Sequence, residues 1–289
     1  MQRKLHPLEG IVAVFALFFV LALTIGFAQA QNARAQKTVY LRSSAALVQD
    51  AATNEVVIDK NADSVTPIAS ITKLMTAMVI IDRGLDLDAR IVVSREDVDW
   101  KKGSRSRLEP GAILTRDELL IVALMASENR AAAALSRTYP GGREAFVAAM
   151  NAKATALGMT DSHFVDATGL SASNVASARD LAKLVRAAYE YPLIREYSTR
   201  ERHTVKVHGR PLAFRNTNGL VRSTQWEIGL SKTGYISEAG RCLVMHVRLA
   251  SKDLIVVLLD SWGKQSRIGD ANRIKRWLEL HAASPARSS

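Results

Sequence analysis

Ser70 is followed three positions later by Lys73, Ser127 two positions later by Asn129, and Lys232, Thr233 and Gly234 are consecutive. In chain order these residues supply a hydroxyl nucleophile, an amine able to take its proton, a second hydroxyl with an amide, and a cationic strand edge for a carboxylate. That is the equipment of an acyl-serine hydrolase. S-x-x-K alone is weak evidence, because the pattern recurs at Ser261 and Lys264. Only the first copy is followed by an S-x-N and a K-T-G, and each of those occurs once.

The spacing carries the chemistry. Residues i and i+3 in the first turns of a helix share a face, so the Ser70 hydroxyl and the Lys73 amine can touch. A serine near a helix N-terminus gains from the positive end of the dipole, and its own N–H can help hold an oxyanion. Lys73 is a base only when neutral, so its pKa must fall from about 10.4, through burial or a neighbouring cation; Lys232 is the candidate cation. The Ser127 hydroxyl can relay a proton to the leaving amine and Asn129 can orient the substrate backbone, although both residue types also suit a helix cap. Lys232 and Thr233 can bind a carboxylate, and Gly234 permits close approach of another backbone. The Tyr235 N–H can be a second oxyanion donor. An edge strand here would also accept an extended peptide.

The elements that must position these groups follow from periodicity. Ala45–Gln49 and Glu55–Asp59 read as a hairpin. A helix is expected from Thr66 and Pro67, carried by Ile71, Leu74, Met75, Met78 and Val79 and ended by Gly84. Thr115 and Glu118 form a capping box before Leu119, Leu120, Val122 and Met125. Ser127–Asn129 interrupts that pattern, which resumes over Arg130–Tyr139. Further helices are expected over Glu144–Leu157 and from Ser177 to Glu190, with Met159–Ser173 as loop between them. Strands follow at Thr204–Val207, Gly229–Ile236, Arg241–Leu249 and Leu254–Leu259, and Ile268–His281 reads as a closing amphipathic helix. Strands at both ends with helices between predict an α+β fold: an antiparallel sheet flanked by terminal helices, with a mainly helical lobe inserted and a site in the cleft.

Composition narrows the setting. The 289 residues are 48% hydrophobic and 23% charged, ordinary values for a globular protein. The apolar run Ile11–Phe27, preceded by Arg3 and Lys4 and followed by Ala28, Gln29, Ala30, reads as a signal peptide over residues 1–30; an uncleaved N-terminal anchor is the alternative. A linker over 31–42, a catalytic domain over 43–281 and a tail over 282–289 complete the expected organisation. Everything past the leader then lies outside the cytoplasmic membrane. Cys242, the only cysteine, rules out an internal disulfide and reads as a buried strand thiol. The six histidines have no metal-ligand spacing, and neither a metal nor a cofactor is expected. The net charge of +11 favours polyanions. No nucleic-acid motif accompanies it, so a carboxylate-rich wall polymer or an anionic membrane face is the better match.

At these motifs the chain resembles the penicillin-recognising serine enzymes, and more closely the low-molecular-mass penicillin-binding proteins of the D-alanyl-D-alanine carboxypeptidase family. Ser127–Gly142, Gly158–Leu170, Asn216–Leu249 and Asp260–Leu280 look like its D-alanyl-D-alanine endopeptidase branch. The resemblance implies a β-lactamase/DD-peptidase-like fold, a periplasmic location, hydrolysis of peptidoglycan cross-links, and covalent inhibition by β-lactams. It also implies that Ser70 forms the acyl-enzyme, Lys73 is the general base, Ser127 assists proton transfer and Lys232 binds the carboxylate. The family's separate C-terminal β domain and amphipathic anchor are not expected here. Carboxypeptidase action on pentapeptide stems is the nearest alternative, since Lys232 would serve either leaving group. A class A β-lactamase would need a Glu with Asn four residues on, which Glu144, Glu190, Glu196, Glu201 and Glu227 lack. A silent wall-binding module would have no use for Lys73.

Overall fold

The computed structural model describes residues 39–100 and 102–282. The expected leader or anchor, the linker up to residue 38 and the tail from 283 lie outside the described residues. From Leu41 onward the described chain forms one unit.

It begins with a hairpin of β1 (Ser43–Asp50) and β2 (Val56–Lys60). Asp50 Oδ1 accepts from the Ala52 and Thr53 N–H groups, and Asn54 takes a φ of 65° to close the turn. Thr66 and Pro67 do not open a helix. They form the two-residue strand β3, paired with Val175–Ala176. Helical structure starts at Ala69 as a 3-10 turn over Ala69–Thr72 and continues as α1 (Lys73–Asp82), which Gly84 ends at φ 65°.

Two three-residue strands, β4 (Arg90–Val92) and β5 (Ile113–Thr115), pair around a long loop and are too short for alternation to reveal. The capping box is present: Thr115 Oγ1 accepts from the Glu118 N–H, and the Glu118 carboxylate accepts from the Thr115 N–H at the start of α2 (Arg116–Met125). The lobe continues through α3 (Asn129–Arg137), α4 (Gly142–Ala156), β6 (Val175–Ala176) and α5 (Ala178–Tyr189). The unforeseen α6 (Pro192–Thr199) starts on a proline, whose missing N–H has no intrahelical partner to lose in a first turn. A hairpin of β7 (Arg202–Val207) and β8 (Arg210–Arg215) follows, of which only the first strand was expected.

The sheet is completed by β9 (Glu227–Ile236), β10 (Gly240–Leu249) and β11 (Lys252–Ser261), and the chain then forms α7 (Ser266–Ala282). The strand order is β2-β1-β11-β10-β9, with every neighbour antiparallel. The turn between β10 and β11 is closed by Ala250 and Ser251, both at positive φ (49° and 62°). The central strands are apolar on both faces because both faces are covered. Ala45, Leu47, Cys242, Val244, Ile255 and Val257 join the core shared with the helical lobe. The alternate residues Ala46, Val48, Leu243, Met245, Val256 and Leu258 are equally buried and face α7, with its Ile274 and Leu278. β9 forms one edge of the sheet, mostly buried, beside the 3-10 turn that carries Ser70. The second S-x-x-K has no such setting: Ser261 ends β11, and Lys264 points to solvent. Among the described residues no helix is long and apolar enough to cross a membrane.

Candidate active site

Ser70 lies in the 3-10 turn and Lys73 begins α1, so the two side chains meet: Lys73 Nζ is 2.8 Å from Ser70 Oγ. Nζ also donates to Asn129 Oδ1 at 2.8 Å and to the Thr168 carbonyl at 2.6 Å. Those two oxygens can only accept. A neutral amine has two N–H donors and one lone pair. With both donors committed to Asn129 and Thr168, the lone pair faces the Ser70 hydroxyl, which is the geometry for taking its proton.

Lys73 is only 1% exposed. Burial pushes its pKa down to about 7, against the Asp166 and Glu128 carboxylates, which favour the charged form. Of the two causes that the sequence allows, burial rather than the charge of Lys232 is therefore what depresses Lys73. The coupling is seen at the other amine: Lys232, also 1% exposed, is held well below the ordinary lysine range by burial first and then by the charges of Lys73 and Arg267.

Lys232 Nζ donates to Ser127 Oγ and to the Thr233 carbonyl, each at 2.9 Å. Ser127 sits between α2 and α3 at a left-handed φ of 59°, a conformation costly for a non-glycine residue. The cap of α3 falls on Glu128, whose carboxylate accepts from the Arg130 N–H. The side chains of Ser127 and Asn129 are thus released from capping, one toward Lys232 and the other toward Lys73.

Gly234 has a steric reason to be glycine. A Cβ there would lie 2.9 Å from the Ile68 carbonyl oxygen and 3.1 Å from the Ser70 nitrogen. Arg267 steadies the strand by donating to the Gly234 carbonyl at 2.9 Å. The Tyr235 ring is exposed and lies under the Arg241 guanidinium, 4.5 Å from its centroid. Thr233 Oγ1 is 2.6 Å from Thr217 Oγ1, a residue that the motifs did not single out. Thr217 is tied to the end of α2 by its N–H bond to the Met125 carbonyl.

The Met159–Ser173 segment, read only as loop, supplies the second fixed partner of Lys73. Asp166 accepts from the Thr168 N–H and hydroxyl and from the Gly169 and Ser171 N–H groups, at 2.6 to 3.0 Å. Buried Asn174 accepts from the Val165 and Asp166 N–H groups and donates to Thr72 Oγ1, pinning the loop to the Ser70 turn. A Cβ on Gly169, at φ 77°, would overlap the Ala69 carbonyl oxygen at 1.9 Å. A cavity of about 490 Å³ opens from Asn129 and Thr168 along this loop, toward the Lys102–Glu238 ion pair. Among the described residues no cluster of three or more His, Cys, Asp or Glu side chains is arranged to hold a metal ion. Cys242 is a buried free thiol whose pKa burial raises to about 11, so it stays protonated.

This architecture is that of the DD-peptidases. The crystal structure of the Streptomyces K15 DD-transpeptidase superposes with a TM-score of 0.77 at 28% identity, covering 83% of this chain and 98% of that one. Residues 30–263 match the model for D-alanyl-D-alanine carboxypeptidases, and the chain belongs to that family of serine peptidases, S11. The D-alanyl-D-alanine endopeptidase of Pseudomonas aeruginosa is 47% identical over 241 residues, 83% of this chain and 78% of that protein. The Escherichia coli protein of the same name is 42% identical over 280 residues, 95% and 90% of the two chains.

Proposed function

We propose that this protein is a periplasmic serine DD-endopeptidase that hydrolyses D-alanyl-diaminopimelate cross-links of peptidoglycan through an acyl-serine intermediate, and that β-lactams inhibit it covalently. The observation that carries the chemistry is the Lys73–Ser70 contact, with both N–H donors of a neutral Lys73 committed elsewhere. The choice of endopeptidase rests on similarity to the two proteins of that name.

In the proposed reaction Ser70 Oγ attacks the D-alanyl carbonyl carbon while its proton passes to Lys73 Nζ. The developing oxyanion is held by the N–H groups of Ser70 and Tyr235. Ser127 passes its proton to the leaving nitrogen and is reprotonated by Lys73, with Lys232 holding the Ser127 hydroxyl in place, so the C–N bond breaks to leave an ester on Ser70 and a neutral Lys73. Lys232 and Thr233 bind the carboxylate beside the scissile nitrogen. Asn129 accepts from Lys73 through Oδ1, which leaves its Nδ2 group for the acyl-side backbone. Water, with Lys73 again as base, attacks the ester and restores the Ser70 hydroxyl.

Slow release of penicillin is expected, because the nearby Asp166 is engaged in holding its own loop, Oδ1 accepting three hydrogen bonds and Oδ2 one. Carboxypeptidase action on pentapeptide stems would use the same groups with a smaller leaving amine, and the family's name keeps that reading alive. Incubating the protein with a purified cross-linked dimer and with a monomeric pentapeptide, and weighing the products, separates the two. Cleaved dimer is expected; release of D-alanine alone would overturn the endopeptidase reading. Ser70→Ala should abolish both penicillin labelling and cross-link cleavage, and retained cleavage would overturn the catalytic assignment.

A further inference from the structure

A second cavity, of about 670 Å³, opens on the other side of the S-x-N turn from the first and is lined by Arg105, Arg107, Arg130 and Arg215. Glu128 is the only carboxylate among its lining residues. Arg130 donates to the Leu108 carbonyl at 2.7 Å, and Arg107 donates to the Ala213 carbonyl while lying over the Phe214 ring. Carbonyls and rings orient a guanidinium without cancelling its charge. None of the four arginines makes a salt bridge among the described residues, whereas Arg137, Arg143 and Arg179 on the same lobe are all paired with carboxylates.

Connectivity fixes where this cavity stands relative to the bond to be cut. Ala126 and Glu128, on either side of Ser127, line it. Arg215 is two residues before Thr217, whose hydroxyl touches Thr233. The cavity therefore adjoins the Ser127, Lys232 and Thr233 side of the cleft, and Asn129 and Thr168 line the other cavity. A carboxylate on Lys232 and Thr233 sits on the carbon next to the scissile nitrogen, so it belongs to the departing amine. The arginines lie on the side of the cleft where whatever extends beyond that carboxylate would be accommodated.

We propose that this arginine-walled cavity is the subsite for the departing peptide of a cross-link, and that it binds that peptide's remaining carboxylates. The inference rests on the endopeptidase reading and deepens it. A lone D-alanine leaving group carries one carboxylate, which Lys232 and Thr233 already receive, and does not reach the arginines. A cross-linked stem carries further carboxylates and does. Guanidinium groups suit this task because their planar fork meets a carboxylate through two parallel hydrogen bonds. The cavity would thus set the preference for cross-links over free termini, a choice that the shared motifs leave open.

The test is the double variant Arg105→Gln/Arg215→Gln, two exposed residues whose side chains make no hydrogen bond or ion pair among the described residues; an unchanged thermal midpoint checks that it folds. On cross-linked dimer kcat/KM should fall about 10- to 100-fold, with hydrolysis of the monomeric pentapeptide and acylation by penicillin unchanged. A dimer whose departing stem has its remote carboxylates amidated should be cleaved more slowly by the wild-type enzyme and lose little more with the variant. Equal loss on both substrates, or an unchanged dimer-to-pentapeptide ratio in the folded variant, overturns the subsite. A wild-type enzyme that trims only pentapeptide overturns the endopeptidase reading and the subsite with it, whereas dimer cleavage with an unmoved ratio overturns the subsite alone.

Discussion

Two lysines, each only 1% exposed, face the same serine-rich cleft, one from helix α1 and the other from strand β9. Lys73 has three oxygen partners, and the carboxylates of Asp166 and Glu128 partly offset its burial, leaving its pKa at about 7. Lys232 has one hydroxyl and one carbonyl, and the charges nearby are those of Lys73 and Arg267, which push in the same direction as burial. The same side chain is tuned in two ways. The helix-side amine is poised to lose and regain a proton near neutrality. The strand-side amine is short of an anion, which an arriving carboxylate would supply, so substrate binding and protonation of Lys232 reinforce each other.

Lys73→Arg breaks the comparison most severely, because a guanidinium stays charged and cannot take the Ser70 proton. Acylation, followed as the rate of labelling by a fluorescent penicillin, should fall about 10²- to 10⁴-fold. A near-normal rate would remove Lys73 from the base role.

The pH dependence separates the two amines by sign. Lys73 works when neutral, so kcat/KM should climb about tenfold per pH unit on the acid side and level off above the amine's pKa of about 7. Lys232 works when charged, so carboxylate-bearing substrates should show a decline at alkaline pH. Amidating the substrate carboxylate should erase the alkaline limb and leave the acid one. A profile flat from pH 5 to 9 would contradict both assignments.

Lys232→Met keeps the apolar stem and deletes the charge. It should cost about 10- to 100-fold in kcat/KM for substrates with the carboxylate and much less for ligands without it. Equal losses would mean that Lys232 serves proton transfer through Ser127 rather than carboxylate binding.

The strand side of this comparison was easier to read from the sequence than the helix side. Apolar runs marked β10 and β11, since a strand buried on both faces needs no alternation. The three motifs are contiguous or span one helical turn, so their residue types and spacing alone suggest chemistry. The groups that tune Lys73 have no such signal. Thr168 acts through its backbone carbonyl from 95 positions away, and any residue type has that carbonyl. Asp166 and Asn174 act by folding a loop back on itself, so a Gly- and Ser-containing stretch hides a rigid support. In the sequence the cause of the Lys73 shift stays open between burial and a neighbouring cation for a related reason: a cation can be named from a motif, but the depth of burial depends on how α1, the loop and β9 close over the amine. Thr66–Pro67 failed as a helix start because β6, over a hundred residues later, captures it as a strand.

Gly234→Ala probes the contact between the two sides with the smallest change. Its backbone carries no left-handed φ, unlike Gly169, so conformational strain is not the obstacle. The added methyl would meet the Ile68 carbonyl at 2.9 Å, Ala69 Cβ at 3.0 Å and the Ser70 nitrogen at 3.1 Å, and relief requires a shift of a few tenths of an ångström. Because β9 is an edge strand it can give way, so the stability loss should stay near 1 kcal/mol by thermal melting. The displacement acts directly between the Ser70 and Tyr235 N–H groups proposed to hold the oxyanion. Acylation should therefore slow about tenfold, less than the hundredfold that a full ångström of misplacement can cause. A variant that melts early and acylates at the normal rate would show that Gly234 serves packing alone, and would move the oxyanion site away from the meeting of turn and strand.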